Sequence, residues 1–322
     1  MRCFFRSISI FTAMVSIILS CQASVKNPYV AVTAIIEHPA LDSVRNGVLD
    51  ELKQNGYIEG ENLKFQYQSA QGSSANAAQI AKQFVANKPD VIVAIATPSA
   101  QALVATTKTI PIVFTAVTDP VAARLTKQWG PTGTNVTGVS DALSLNKQIE
   151  QMLKIKPNLN AIGYVYSPGE INSTHILKQL NDLLTPKGIQ VIAAPAQRTA
   201  DIPAAARSLK GKVDLIYTTT DNNVVSAYES LAKVANESKI PLIASDPVVA
   251  TRGATAALGM SYYDLGRQAG KMVIRILQGE KPGDIAIETG NVMQFVVNKS
   301  AAERQGVTLS DDILNSANKI IN

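Results

Sequence analysis

The chain predicts an α/β protein made of two similar doubly wound parallel-sheet lobes joined by a hinge. Three observations carry that expectation. Apolar runs of strand length recur and stop at small polar residues, as in Val91-Ile92-Val93-Ala94-Ile95-Ala96 before Thr97-Pro98-Ser99. Such runs suit strands buried on both faces of a parallel sheet. They alternate with helical segments, an order that implies right-handed crossovers. The alternation then happens twice, so the 322 residues hold two copies of one unit.

The first twenty residues stand apart from both copies. Arg2 and Arg6 precede an apolar segment from Ile8 to Leu19, the pattern of an export signal and too short for a comfortable membrane span. It ends in Ile18-Leu19-Ser20-Cys21, which resembles the processing site of bacterial lipoproteins. That resemblance implies lipidation at Cys21 and a mature chain anchored to the membrane. Cys3 is the only other cysteine, so the mature body has neither a disulfide nor a thiol nucleophile. The composition, 46% hydrophobic and 17% charged, is that of a globular protein. Its formal charge of +5 is scattered and includes Arg2 and Arg6, which argues against a nucleic-acid partner.

After a short polar tether, Tyr29 to Ile36 forms the first strand and ends at Glu37-His38-Pro39. Leu41, Val44, Val48, Leu49 and Leu52 then mark one face of a helix over 41–54, which Gly56 stops. A strand over 63–68 and a helix over 75–87 follow. After the 91–96 strand, Thr97, Pro98 and Ser99 open a helix, with a hydroxyl to cap it and a proline where a missing N–H costs little. Ile110 to Val117 closes the first copy at Thr118-Asp119-Pro120.

The second copy repeats these landmarks. A strand over 161–166 ends in Ser167-Pro168-Gly169-Glu170, and a helix covers 174–184. A strand over 189–194 and a helix over 202–209 come next. Val213 to Thr220, ending at Asp221-Asn222-Asn223, answers the stretch that ends at Thr97, and Ser245-Asp246-Pro247 answers Thr118-Asp119-Pro120. Glu37 and Glu170 stand just past the first strand of each copy. The chain crosses between lobes near Asn135 to Asp141 and the helix over 145–153. The later segments (a strand over 255–260, a helix from 261 to about 279, a strand over 292–297 and a short helix over 299–305) fit neither copy and return through the hinge. The expected division is a signal at 1–20, one lobe of 28–140 plus about 261–285, and another of 141–260 plus about 286–322.

Enzyme signatures are absent: there is no Gly-Xaa-Ser-Xaa-Gly elbow, no P-loop and no Gly-Xaa-Gly-Xaa-Xaa-Gly turn. His38 and His175 lack partners at metal-ligand spacing. No catalysis, cofactor or metal is therefore expected. The polar turns, by contrast, form a set at the carboxyl edges of the strands: Glu37, Thr97, Ser99, Gln101, Thr118, Asp119, Ser140, Asp141, Glu170, Asn172, Ser173, Asp221, Asn222 and Asp246. Hydroxyls, amides and helix amino ends suit a carboxylate, and an acidic side chain suits an ammonium. The expected ligand is a small zwitterion between the lobes, with Asp221 on its ammonium and Thr97, Ser99 and Ser173 on its carboxylate. Tyr166 and Tyr262 stand near the turns and could wall an aromatic ligand. Phe114 lies inside a strand and is expected in the core.

Several stretches resemble the TrpX-like substrate-binding proteins of ABC transporters. They are Glu37-His38-Pro39-Ala40-Leu41-Asp42, Ala94-Ile95-Ala96-Thr97-Pro98-Ser99-Ala100-Gln101, Ile110 to Val121, Asn135 to Asp141, Tyr166 to Ser173 and Thr220-Asp221-Asn222. The resemblance covers the chain from about Asn27 onward. It implies a type I periplasmic-binding-protein fold that closes on an aromatic amino acid, tryptophan above all. It also implies an extracytoplasmic, lipid-anchored monomer that works with an ABC permease and ATPase. An extracytoplasmic sensor that passes its signal to a membrane partner is the alternative.

Overall fold

The computed structural model describes residues 27–322, so the export-signal stretch and Cys21 lie outside the described residues. The first sheet is built by β1 (Tyr29–Ala34), α1 (Pro39–Gln54), β2 (Lys64–Ser69), α2 (Ser74–Asn87), β3 (Val91–Ile95), α3 (Thr97–Thr106), β4 (Ile112–Val117) and β5 (Val136–Ser140). The second uses α4 (Leu145–Ile155), β6 (Ala161–Tyr166), α5 (Ile171–Leu184), β7 (Gln190–Pro195), α6 (Ile202–Arg207), β8 (Leu215–Thr218), α7 (Asn222–Ser226), α8 (Tyr228–Ser238), β9 (Leu242–Ala244) and β10 (Ala256–Met260). The chain then returns as α9 (Tyr262–Leu277), β11 (Glu288–Thr289), β12 (Met293–Asn298), α10 (Lys299–Arg304), α11 (Asp311–Ser316) and β13 (Lys319–Ile321).

One sheet runs β2-β1-β3-β4-β5-β11 and the other β7-β6-β8-β9-β10-β12-β13. Their first five strands follow the same order, the spatial counterpart of the internal repeat. All pairings are parallel except β10 with β12. β1, β3 and β4 are buried at every position, as strands covered on both faces must be. Phe114 sits in this first core. Two further apolar clusters cover the two faces of the second sheet.

The return through the hinge differs in detail from the expected division. β11 pairs with β5 at Glu288↔Val139, so the chain stays with the first sheet beyond residue 285 before β12 joins the second. A two-residue strand carries no periodicity that a sequence reading could detect. α9 belongs to the first lobe because it lies backbone-close on α1. A Cβ at Gly266 would fall 2.1 Å from the Val44 carbonyl oxygen, and one at Gly47 would fall 2.2 Å from that of Tyr263. Only glycine permits that approach.

Three chain crossings join the lobes, after β5, between β10 and α9, and between β11 and β12. They are tied to one another. Gly290 N–H donates to the Ser140 carbonyl at 2.8 Å, and Ser261 N–H to that of Val292 at 2.8 Å. Tyr262 Oη donates to Asp141 Oδ2 at 3.0 Å.

Candidate functional site

In each sheet the strand order reverses beside the first strand, between β1 and β3 and again between β6 and β8. Ligands of open α/β sheets bind outside the carboxyl ends of strands at such points. The hinge brings the two points face to face, and Thr118 Oγ1 lies 3.3 Å from Thr220 Oγ1 across the gap. Two narrow adjoining cavities remain there, sharing Thr118, Thr220 and Tyr262. The first has His38, Thr97, Asn172, Asn222 and Asp246 in its wall beside Leu41, Ala96 and Val225. The second has Leu143, Ile176, Met260 and Tyr217 as its apolar and aromatic surfaces, with Asp141 and Gln148 among them. Neither is lined by a lysine or an arginine.

The first cavity meets the amino end of α3 at two strained alanines. Ala96 has φ 73° and ψ 156°, and Ala116 has φ 53° where the β4–β5 register shifts. L-residues rarely occupy these regions, and such strain concentrates at ligand clamps. Thr97 and Ser99 are buried behind Ala96, and Ser99 Oγ has no protein partner. Asn172 Oδ1 and His38 Nδ1 are also buried without partners. Burial pushes the His38 pKa down to about 4, against a smaller opposing effect of Asn222, so its imidazole is neutral at physiological pH.

Carboxylates dominate the charge of the cleft. Burial raises Asp246 to about 7; the Val248 N–H and Arg252 oppose the shift and Asp141 adds to it. Its Oδ1 accepts from Val248 N–H at 2.9 Å. Burial likewise raises Asp141, against hydrogen bonding from Tyr262. Glu170 is raised by burial and then by the neighbouring Asp221 charge. Its Oε2 accepts from Asn172 Nδ2 at 3.1 Å, Asn222 N–H at 3.2 Å and Asn222 Nδ2 at 2.8 Å, so it fixes two amides that reach the cavity.

Of the residues named from sequence, the structure brings Thr97, Thr118, Asp141, Asn172, Asn222, Asp246 and Tyr262 to the cavity walls. It does not bring the others there. Glu37 is exposed, and its neighbour His38 turns inward instead. Gln101 donates to the Ala123 carbonyl at 3.1 Å and secures the loop after β4. Asp119 caps the N–H groups of Val121 and Ala122, both at 2.9 Å, and faces His175 at 3.4 Å on an outer groove. Ser140 Oγ donates to the Thr118 carbonyl at 3.0 Å. Tyr166 stacks on Tyr164 with ring centroids 5.7 Å apart and reaches neither cavity. Glu170 and Ser99 stand one layer behind the wall.

Asp221 departs furthest from its expected role. Its Oδ1 accepts from Ser167 Oγ at 2.8 Å and Val224 N–H at 3.0 Å, and its Oδ2 from Ser167 N–H at 2.6 Å and Ser173 Oγ at 2.7 Å. A carboxylate offers about four lone-pair sites, and all are used. No capacity is left for an ammonium, and the Ser173 hydroxyl is committed too. Asp246 is the acid that lines the cavity. Ser245, read in the sequence as a polar turn beside Asp246, does reach the second cavity. The sequence reading of candidate site residues passed over Leu41, Thr220, Val225, Leu143, Gln148, Ile176 and Met260. Most are small or apolar residues whose type carries no functional signal.

Among the described residues no cluster of His, Cys, Asp and Glu has metal-site geometry, and no helix is long and apolar enough to cross a membrane. A model of the ABC transporter substrate binding protein family matches residues 29–321. The chain is 39% identical over 276 residues to a tyrosine-binding protein of Clostridioides difficile (strain R20291), covering 86% of this chain and 80% of that one. It is similar to an ABC domain from Streptococcus pneumonia solved in complex with L-Trp, at 32% identity and a TM-score of 0.87, over 92% of this chain and all (100%) of that one. It is also similar to a ligand-free, open substrate binding protein with adhesive properties from Clostridium difficile. There the identity is 36% and the TM-score 0.70, over 92% of this chain and 99% of that one.

Proposed function

The chain belongs to the family of ABC transporter substrate-binding proteins, and from that premise we propose that it captures an aromatic amino acid between its lobes for an importer. The single observation that carries the ligand class is the pairing of the two cavities. One offers Thr97 at the amino end of α3, the amides of Asn172 and Asn222 and the Asp246 carboxylate, and the other offers the Tyr217 ring with Leu143, Ile176 and Met260. A zwitterion with a ring spans such a pair: its carboxylate at Thr97, its ammonium at Asp246 and its ring against Tyr217. The tyrosine and tryptophan named for two relatives support the aromatic class.

Binding in this reading makes and breaks no bond. The ligand docks on one lobe, and the second adds contacts that favour closure about the three crossings. The higher TM-score to the L-Trp complex than to the ligand-free open relative supports a lobe arrangement near the closed one. The protein acts outside the cytoplasm as a monomer, held to the membrane through lipidated Cys21, and hands its ligand to an ABC permease driven by an ATPase.

Titration calorimetry of the wild-type chain against the common amino acids tests the reading, and tyrosine or tryptophan should bind. Asp246→Asn keeps an acceptor for the Val248 N–H but removes the charge. It should weaken binding by about thirtyfold or more, the typical cost of removing one partner of a buried charge pair. Unchanged affinity in that variant would remove Asp246 from the site. Absence of heat with every amino acid would sink the ligand class.

A further inference from the structure

The second cavity, where Leu143, Ile176 and Met260 stand among polar side chains, holds a feature that shape alone does not require. Asp141 follows β5 directly, at the first chain crossing, and its side chain is buried in the cavity wall. Tyr262 Oη occupies Oδ2. Oδ1 is buried with no partner in hydrogen-bonding geometry. Burial raises the carboxyl's pKa and the Thr118 and Thr220 hydroxyls oppose that rise from close by, but they pair with each other at 3.3 Å. An unpaired buried carboxylate oxygen is costly, and it contrasts with Asp221, whose oxygens are all bonded within the protein. The same wall carries Leu143, Ile176, Met260 and Tyr217, so Asp141 borders the space proposed for a ring rather than that for the amino-acid head group. Asp246, which lines the first cavity, is not in this wall.

Resting on the reading of an aromatic amino acid in the cleft, we propose that Asp141 selects rings that carry a hydrogen-bond donor, an indole N–H or a phenol O–H, over rings that carry none. The donor completes Oδ1. A plain phenyl ring leaves the oxygen buried and unpaired, and the site rejects it for that reason. The role survives a change of protonation. Ionised, both oxygens accept; protonated on Oδ2, the acid keeps the lone pairs of Oδ1. Tyr262 holds the carboxyl in place and thereby couples ring recognition to the hinge, because Asp141 and Tyr262 stand on two of the three crossings.

The test compares matched ligands by titration calorimetry on the wild-type chain: tryptophan against 3-benzothienylalanine, in which sulfur replaces the N–H, and tyrosine against phenylalanine. Whichever of tryptophan and tyrosine binds, its donor-less partner should bind at least about tenfold more weakly. In Asp141→Ala the ratio should fall to within about threefold, with thermal melting reporting that the variant is folded. The wild-type comparison stands even if that variant fails to fold. Equal affinity within a pair overturns the selection by Asp141 and leaves the aromatic-ligand reading intact. A variant that loses affinity equally for both members overturns it too, because Asp141 would then serve the ammonium. If no amino acid binds the wild type, the functional reading falls and this inference falls with it.

Discussion

Asp246 and Asp221 both cap a helical turn at the carboxyl edge of the second sheet, yet they do different work. Asp221 is saturated by four protein donors, whereas Asp246 gives Oδ1 to the Val248 N–H and lines the cavity. Burial raises Asp246 to about 7, and the charged groups that act on it are Arg252 and Asp141. In its proposed role Asp246 meets a ligand ammonium in the ionised form, so binding below that value must first release the proton. Affinity therefore rises with pH up to about 7 and is flat above it, with a slope approaching tenfold per unit on the acid side. His38 stays neutral throughout that window because its value is pushed down to about 4. Calorimetry between pH 5.5 and 8 checks this, and the slope should vanish in Asp246→Asn. A profile that falls with pH would contradict the assignment.

The pairing of α1 with α9 shows how a distant segment is recruited to a lobe. α9 follows the second copy in the chain yet packs on the first lobe, backbone to backbone, where Gly47 and Gly266 leave room. A methyl at Gly266 would meet the Val44 carbonyl at 2.1 Å, and backbone cannot yield as a flexible side chain can. Gly266→Ala should thus destabilise the fold by about 2 kcal/mol or more and lower the melting temperature by several degrees. An unchanged melting curve would mean the helices separate at no cost. Most helices were legible from apolar spacing and turn residues, but α9's partner was not. Periodicity shows that a helix has a buried face without saying what covers it.

The proposed closure of two lobes over a ligand would turn on the three crossings. They are hydrogen-bonded to one another, and in the proposed motion the lobes pivot as bodies while the contacts across the cleft, Thr118 with Thr220 and Asp119 with His175, form or break. Small-angle scattering should show a smaller radius of gyration when tyrosine or tryptophan is added at saturation. An unchanged radius in a chain that binds the ligand would reject hinge closure.

The duplicated α/β plan, the doubly wound sheets and the polar character of the strand ends are written in the chain. They depend on local patterns: buried runs, helical spacing and turn residues that recur in order. Which polar end meets the ligand is a different matter. Asp119 and Asp246 hold equivalent places in the repeat, but one faces an outer groove and the other lines the cavity. Glu37 and His38 are neighbours, but only the histidine turns inward. Asp221 looked free until Ser167, Ser173 and the Val224 N–H folded around it. A side chain's unused hydrogen-bonding capacity is set by every donor that packs beside it, and those donors come from strands and helices far away in the sequence. Assembly of the two lobes decides it, because only then are the partners present to be counted.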